Sequence, residues 1–256
     1  MLGYKDIINK HYALNMSGRE IARETGVSKS GVNGFLTAFA RCKTLSFPLP
    51  KGITNQGIAE AVYGKNSEDS FKVVNTGTID PYISLWGIKQ MQYIKDKYSF
   101  PIVYKNDLKK INPKRVEQAE SEKIIVAGMS NRIEAIFDSG YTLGGKSTTI
   151  ILGENLKYII ALLNSKLSDF AINILYNSLK MSGVYLNIGT RELENFPIPA
   201  ATKSQQQPII SLVDQILEAK KTDPSADTSA IESKIDQLVY QLYSLTNDEI
   251  KIVEGK

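Results

Sequence analysis

The sequence predicts an α+β protein in which a small all-α domain precedes a mixed α/β domain that ends in a helical hairpin. Apolar residues recur at helical spacing from residue 1 to 45. Runs rich in Ile, Val and Thr, broken by glycines, follow from about residue 67. Long apolar stripes at helical spacing return in the last third of the chain. We therefore expect three segments, with boundaries of 1–66, 67–199 and 200–256.

Composition limits the chemistry that this chain is expected to perform. With 42% hydrophobic and 23% charged residues, its 256 residues are close to globular averages. It has no run of about eighteen apolar residues, so no membrane span is expected. Cys42 is the single cysteine and His11 the single histidine. A disulfide, a metal site and a Cys–His nucleophile are therefore not expected, and the cytoplasm is the expected compartment.

The front segment carries the local signals of two helices joined by a tight turn. Ser17 and Glu20 have the spacing of a capping box, which predicts that a helix begins after Ser17. Gly26 stands where the chain needs a left-handed residue between two helices, and Ser28 caps the second helix. With an earlier helix around Tyr4, these signals predict three short helices in residues 1–45 and a helix-turn-helix arrangement.

The second of these two helices has the composition of a recognition helix for the DNA major groove. Its outer face is expected to present Lys29, Ser30, Asn33 and Thr37 to base edges and phosphates. The arginines expected to hold the phosphate backbone are Arg19, Arg23 and Arg41. Residues 1–66 contain nine Lys and Arg against four Asp and Glu, a net charge of +5, whereas the remainder carries −1. The alternative is a three-helix bundle that binds no nucleic acid.

The middle and end of the chain alternate between strand and helix patterns. Strands are predicted in FKVVNTGTI, KIIVAGM and RIEAIFDSGYTLGGKSTTIIL, with a short helix in NPKRVEQAES. Residues 155–178, 208–220 and 229–245 are predicted to be helices. In the last of them a narrow apolar seam of Ile231, Ile235, Leu238, Leu242 and Leu245 is expected to pack on the preceding helix, or alternatively to mediate self-association.

From residue 70 onward the chain contains, in order, NTGTIDPYISLWGIK, KIIVAGMSNRIEAIFDSGYTLGGKSTTIIL, LLNSKL, YLNIGTRELENFPIP and DTSAIESKIDQLVYQLYSLTNDEI. This series resembles the TaqI-like C-terminal specificity domain, the target-recognition domain of adenine-specific DNA methyltransferases and type II restriction–modification enzymes. The resemblance implies recognition of a short duplex sequence, which would position a flipped adenine for a neighbouring catalytic domain. Residues 1–66, through FPLPKGITNQGIAEAVYG, resemble the N-terminus of IstA-type transposases, which implies terminal-DNA binding.

Four polar loops supply the expected base and phosphate contacts of this larger domain. Their residues are Asn75, Thr76 and Thr78; Asn131 and Arg132; Lys146, Ser147 and Thr148; and Asn187, Thr190 and Arg191. Arginine pairs well with guanine and asparagine with adenine. The alternative for the Gly-Gly-Lys-Ser stretch is a hairpin turn with a solvated lysine. Trp86 and Tyr93 are expected to be core residues rather than stacking platforms for bases.

The chain lacks the motifs of a DNA methyltransferase. Asp80-Pro81-Tyr82 misses the second proline of the motif that holds the target amine, and no glycine-rich loop for S-adenosylmethionine follows a strand. Asp227, Glu232 and Lys234 have a nuclease-like spacing, but they begin an amphipathic helix and are read as a solvated face. No catalytic residue, metal or cofactor is assigned, and S-adenosylmethionine would belong to a partner.

Three hypotheses remain open. The first is a DNA-binding specificity module whose partners are double-stranded DNA and a methyltransferase or nuclease subunit. The second is a transposase-derived protein in which the helix-turn-helix does the binding. The third is an enzyme with an unrecognised active site. The sequence leaves the oligomeric state open.

Overall fold

The structure, a computed structural model, describes residues 3–63, 70–176, 180–181 and 185–255. It is an α+β fold. The helices of the described part are α1 Tyr4–Tyr12, α2 Gly18–Thr25, α3 Lys29–Arg41, α4 Asn55–Tyr63, α5 Lys105–Ile111, α6 Pro113–Glu120, α7 Leu156–Leu163, α8 Lys166–Leu175, α9 Thr190–Glu194, α10 Lys203–Thr222, α11 Ser229–Leu242 and α12 Asn247–Val253, with a 3₁₀ turn at Thr76–Thr78.

The strands are short and form several small sheets. They are β1 Ser70–Val74, β2 Ile79–Asp80, β3 Ile83–Ser84, β4 Met91–Tyr93, β5 Asp96–Tyr98, β6 Ile102–Tyr104, β7 Lys123–Ala127, β8 Met129–Ser130, β9 Ala135–Asp138, β10 Thr142–Gly144, β11 Thr148–Ile151, β12 Lys180–Met181 and β13 Tyr185–Asn187. The chain divides into two compact units, one of residues 1–73 with 86–112 and the other of 74–85 with 113–256.

The first unit is built on the helices at the front of the chain. Apolar faces of α1, α3 and α4 form its core, in which Ile8, Val32 and Ile58 are fully buried. The rings of Trp86 and Phe100 pack against that core, although they lie far along the chain. Because β1 pairs with β6 and β4 with β5, both antiparallel, this unit also contains strands beside its helices.

The predicted local signals of the first unit are confirmed. Ser17 accepts a hydrogen bond from the backbone N–H of Glu20, whose carboxylate accepts from the Ser17 N–H, which completes the capping box. Gly26 ends α2 with a left-handed φ of 69°. Ser28 caps α3 by accepting from the Gly31 N–H. The predicted three helices in residues 1–45 are therefore present as α1, α2 and α3.

The second unit is centred on an antiparallel sheet in the order β11–β7–β9. All five residues of β7 are buried, as expected for a central strand. Helix α7 packs on β7 and β9, α10 packs on α7, and α11 packs on α10. Layers of sheet and helices thus enclose a core in which Ile160, Val213 and Ile235 have almost no exposed surface.

The predicted helix over residues 155–178 is wrong as a single element. The structure has two helices, α7 and α8, bent by 64° at a break between Leu163 and Lys166. The Asn164 side-chain amide stabilises this break. Its oxygen accepts from the Ala135 N–H on β9, and its NH₂ group donates to the Ala135 carbonyl. Ser165 then caps α8 by accepting from Ser168 N–H. Residues 177 and 178 lie outside the described residues.

The terminal helices differ from their predicted limits. Helix α10 begins at Lys203 rather than at Pro208, because Thr202 and Gln205 form a capping box. The last predicted helix ends at Leu242, and α12 follows it. Of the predicted seam, Ile231, Ile235, Leu238 and Leu242 pack into the core, and α11 packs against α10, whereas Leu245 lies beyond the end of α11. Among the described residues no single helix is long and apolar enough to cross a membrane. The bent pair α7–α8 reaches the necessary length and apolar composition only when its two helices are taken together.

The two aromatic residues expected in the core have different environments. Trp86 packs against the first unit's core, and its Nε1–H donates to the Pro101 carbonyl at 2.8 Å. The prediction for Tyr93 is wrong, because its side chain is 57% exposed at the end of β4. Tyr93 is the last residue of β4, directly before the two-residue turn that joins β4 to β5.

Candidate functional site

Gly128, directly after the central strand β7, is the point at which three loops of the second unit meet. Its N–H donates to the Ser147 carbonyl at 2.9 Å and to Thr76 Oγ1 at 3.2 Å. Its own carbonyl accepts from the Ile188 N–H at 2.9 Å. A Cβ at this position would lie 2.7 Å from the Ser147 carbonyl oxygen, so only glycine allows this close approach.

The turn that contains Thr76 is locked onto the loop that contains Ser147. Thr76 Oγ1 donates to the Ser147 carbonyl at 2.6 Å. The Thr78 hydroxyl is buried and bonds back to the backbone N–H and carbonyl of Asn75. Of the predicted contact residues in this turn, Thr76 and Thr78 therefore hold the backbone in place, and Asn75 is half-buried.

Six of the predicted contact residues have exposed side chains and lie within three residues of Gly128, Ser147 or Ile188, whose backbones meet at Gly128. We call these residues the Gly128 rim: Asn131, Lys146, Ser147, Asn187, Thr190 and Arg191. Asn187 on β13 lies opposite Met129 on β8, which brings the loop after β13 beside the loop after β7. Thr148 is half-buried, and its hydroxyl donates to the Gly145 carbonyl at 2.8 Å. The rim therefore combines amides, hydroxyls and two cations.

Gly128 and Met129 were missed as site residues from sequence. Met129 is 42% exposed between the rim residues Asn131 and Asn187. A glycine that directly follows a buried apolar strand signals a close backbone approach, which is the signal that could have identified this position.

Arg132 faces acidic side chains of its own unit rather than the rim. It lines a cavity of about 170 Å³ together with Tyr82, Asp169, Glu232 and Asp236. Burial raises the pKa of Asp169, and the Arg132 guanidinium opposes that rise. The structure therefore separates Arg132 from Asn131, its neighbour in the predicted loop, whose side chain is exposed.

The Asp80-Pro81-Tyr82 stretch forms a turn in which Tyr82 is buried. Tyr82 is 5% exposed and adopts a left-handed φ of 64° between β2 and β3. Its N–H donates to the Ala135 carbonyl at 2.9 Å. Burial, followed by the nearby Glu232 carboxylate, raises the pKa of its hydroxyl. This tyrosine is thus fixed inside the second unit, with no open surface on which a base could stack.

Helix α3 of the first unit presents the side chains that the sequence predicted. Lys29, Ser30, Asn33 and Thr37 are exposed, whereas Val32, Phe35, Leu36 and Phe39 are buried on the opposite side. A Cβ at Gly18 would collide with the amide oxygen of Asn33, so the start of α2 lies against this helix face. Arg19 and Arg23 on α2 are exposed as well. The Arg41 guanidinium lies 4.8 Å from the ring centre of Tyr104.

The two units differ in charge more than the predicted segments do. The first unit contains 16 Lys and Arg against 8 Asp and Glu, a net charge of +8. The second contains 15 against 19, a net charge of −4. A polyanion is therefore attracted chiefly to the first unit.

Acidic groups with a nuclease-like spacing have structural roles at the start of α11. Asp227 accepts from the Ser229 N–H at 3.0 Å, and Glu232 accepts from the Thr228 hydroxyl. Within the described ranges, no group of three or more His, Cys, Asp or Glu side chains could hold a metal ion.

A small sheet whose loops gather amides, hydroxyls and cations at one end is suited to reading base edges and phosphates. Residues 81–198 match the family model of the TaqI-like C-terminal specificity domain. No curated protein matches the chain. The matched region contains Gly128 and all six residues of the Gly128 rim, and it indicates a DNA-binding specificity module of restriction–modification systems.

The match is narrower than the resemblance deduced from the sequence, which extends over residues 70–256. It starts at residue 81, so it does not include the front segment. The resemblance of residues 1–66 to IstA-type transposases has no support from the comparisons and stays a prediction.

Proposed function

We propose that this chain is a sequence-specific, duplex-DNA-binding specificity module that acts with a catalytic subunit on another chain. The observation that carries the proposal is the family match over residues 81–198, which include Gly128 and the Ser147 and Ile188 loops that contact its backbone. In this proposal Asn187 and Arg191 of the rim read base edges, and Lys146 and Ser147 contact phosphates. Thr76 and Gly128 fix the loops so that these side chains keep one arrangement.

The catalytic chemistry belongs to the partner in this proposal. An adenine methyltransferase subunit would supply S-adenosylmethionine and the pocket for a flipped base. Two features support this division: the sequence lacks both methyltransferase motifs, and Tyr82 of the nearest similar stretch is buried. We expect no methyl transfer from labelled S-adenosylmethionine to duplex DNA by the purified chain. Methyl transfer by the chain alone would favour the enzyme hypothesis instead.

A second candidate function is DNA binding by α3 alone. The charge distribution favours it, because the first unit carries +8 and the second −4. In this case the exposed face of Lys29, Ser30, Asn33 and Thr37 lies in the major groove and the rim contacts no DNA. The second unit would then serve to bind a protein partner.

Selection of bound duplexes from a random pool, with the full chain, separates the two candidates. The rim variant is Asn187→Ala with Arg191→Ala, and the helix variant is Lys29→Ala with Asn33→Ala. Gln215→Ala with Lys221→Ala, at exposed positions of α10, removes an amide and a cation and serves as the control. If the rim reads sequence, its variant loses preference at the contacted positions by about 1–3 kcal/mol per base pair.

The opposite result identifies α3 as the reader. In that case the helix variant loses the selected motif while the rim variant selects the same motif as the unchanged chain. A chain that selects no motif and fails to bind any duplex at low ionic strength contradicts both candidates. Loss of motif in the α10 control would show that the effect is not specific to either surface.

A further inference from the structure

The hairpin of β4 and β5 ends in an exposed, strained tip. Its strands pair antiparallel, with Met91 opposite Tyr98 and Tyr93 opposite Asp96, so Ile94 and Lys95 form the turn. Ile94 has a left-handed φ of 56°, and its side chain is 78% exposed. A β-branched residue rarely adopts this conformation, and an exposed isoleucine gains nothing from burial in return. Stability of the isolated protein therefore does not account for isoleucine here.

The base of this hairpin is fixed on the helices of the first unit. Burial raises the pKa of the Tyr98 hydroxyl, and the nearby Ser30 hydroxyl in the first turn of α3 opposes that rise. The Tyr98 hydroxyl also donates to Asp96 Oδ2 at 3.5 Å. Two residues further along the chain, Phe100 packs on Tyr4 with ring centres 5.2 Å apart. The hairpin thus stands beside the N-terminal end of α3, the end from which recognition helices contact base edges.

The tip combines apolar and basic side chains. Tyr93 is 57% exposed. Lys95 in the turn and Lys97 on β5 are exposed as well. Lys89 precedes the hairpin and is exposed, whereas Asp96 is the acidic residue of its strands. An apolar tip between lysines has the chemistry of an element that enters the minor groove, where side chains such as Ile separate base steps and lysines contact the phosphates.

We propose that this hairpin is a second duplex-binding element of the first unit. Lys95 and Lys97 contact phosphates, and Ile94 makes apolar contact in the minor groove next to the major-groove segment occupied by α3. The inference rests on the second candidate function, the binding of duplex DNA by α3. The net charge of +8 on this unit favours a nucleic acid over an apolar protein surface as the occupant of the tip.

The test measures binding of the full chain to a fluorescent duplex of mixed sequence over a series of salt concentrations. Ile94→Asn introduces a residue that tolerates the left-handed backbone conformation of the turn, and it removes the apolar side chain of the tip. Ile111→Asn is its matched control, because Ile111 is an 83% exposed isoleucine of the same unit. We expect Ile94→Asn to weaken binding about tenfold with little change in salt slope, and Ile111→Asn to bind as the unchanged chain does.

The lysines are tested with Lys95→Gln and Lys97→Gln combined. We expect the slope of log K against log salt to fall by about 2, since two phosphate contacts are lost. Lys109→Gln with Lys110→Gln on exposed α5 removes the same charge from this unit as the hairpin variant does. It should change the salt slope less than the hairpin variant. If hairpin and control variants bind alike while Lys29→Ala with Asn33→Ala weakens binding, the hairpin proposal is overturned and DNA binding stands.

Failure of the proposed function gives a different result. In that case the unchanged chain does not bind the duplex even at low ionic strength, and none of the variants changes the signal. Binding that depends on Ile94 only in the presence of a protein partner would show a protein occupant and would also overturn the proposal.

Discussion

Lys123 and Asp138 form a buried ion pair across the first residues of β7 and the end of β9. Their side chains are 1% and 10% exposed, and Lys123 Nζ also donates to the Ala119 and Ser121 carbonyls. Asp138 in turn accepts from the N–H groups of Gly140, Tyr141 and Thr142. This network closes the end of the sheet opposite Gly128, because Ala127 is at the other end of β7.

The first prediction concerns the stability that depends on this pair. Asp138→Ala leaves a buried ammonium group and several backbone donors without their acceptor, so we expect the free energy of unfolding to fall by about 3–5 kcal/mol. Chemical denaturation followed by circular dichroism measures it. Glu218→Ala breaks the exposed pair with Lys221 and should leave the denaturation midpoint almost unchanged. Equal losses in both variants would contradict a special role for the buried pair.

The second prediction concerns the pH dependence of stability. Burial raises the pKa of Asp236 above its ordinary value of 3.8, although the Lys166 backbone N–H and charge oppose the rise. Between 3.8 and the raised pKa the folded chain binds more protons than the unfolded chain, so the free energy of unfolding falls as pH rises through this window. Asp236→Asn should therefore gain stability relative to the unchanged chain as pH rises through it.

Urea denaturation at several pH values provides the measurement for Asp236. Once the pH exceeds the raised pKa, the difference in free energy between Asp236→Asn and the unchanged chain should become constant. Asp248→Asn, at an exposed position of α12, is the matched control. A difference that is the same across the acidic range would contradict the prediction.

The third prediction concerns two glycines of the first unit with opposite effects. Gly26 has a φ of 69° and no neighbour within 4 Å of an added Cβ, so Gly26→Ala introduces only backbone strain and should cost about 1–2 kcal/mol. Gly34 lies within α3, also with open space, and Gly34→Ala should stabilise by about 0.5–1 kcal/mol. Thermal melting of both variants is the measurement, and shifts of the same sign would refute it.

The fourth prediction concerns the loops around Gly128. In Gly128→Ala the new Cβ must displace the Ser147 backbone, so the rim side chains change their relative positions. We expect a folded chain with weaker sequence preference, measured by circular dichroism and by selection from a random duplex pool. Gly77→Ala is the control, because its nearest neighbour is Asn75 Oδ1 at 3.7 Å. If Gly128→Ala selects as sharply as the control, Gly128 does not organise the reading surface.

Local features of this fold could be predicted from sequence because a few neighbouring residues determine them. The Ser17 and Ser28 caps and the turn at Gly26 depend only on residues within four positions. The apolar seam of α11 was likewise predictable from its periodicity. The break after Leu163 was not predictable in this way, because it depends on a hydrogen bond between Asn164 and Ala135, which lies in β9 and is distant in sequence.

The site could be predicted only in part for the same reason. Polar loops are evident in the sequence, but their meeting at Gly128 depends on the pairing of β7 with β11 and of β8 with β13. That pairing brings Ser147 and Asn187 to one end of the sheet. It does not bring Arg132 there, since carboxylates contributed by α8 and α11 surround its guanidinium. The exposure of Tyr93 depended on a hairpin that periodicity did not show.

The packing of Trp86 and Phe100 on the front helices has a practical consequence for cutting or exchanging parts of this protein. A fragment that ends at residue 66 would leave the apolar side of Tyr4 uncovered, since its aromatic partner Phe100 would be missing. Such a fragment would tend to aggregate, and its loss of binding would say little about α3. A chimera that transfers the front helices α1 to α4 into another protein should therefore include residues 86–112 as well.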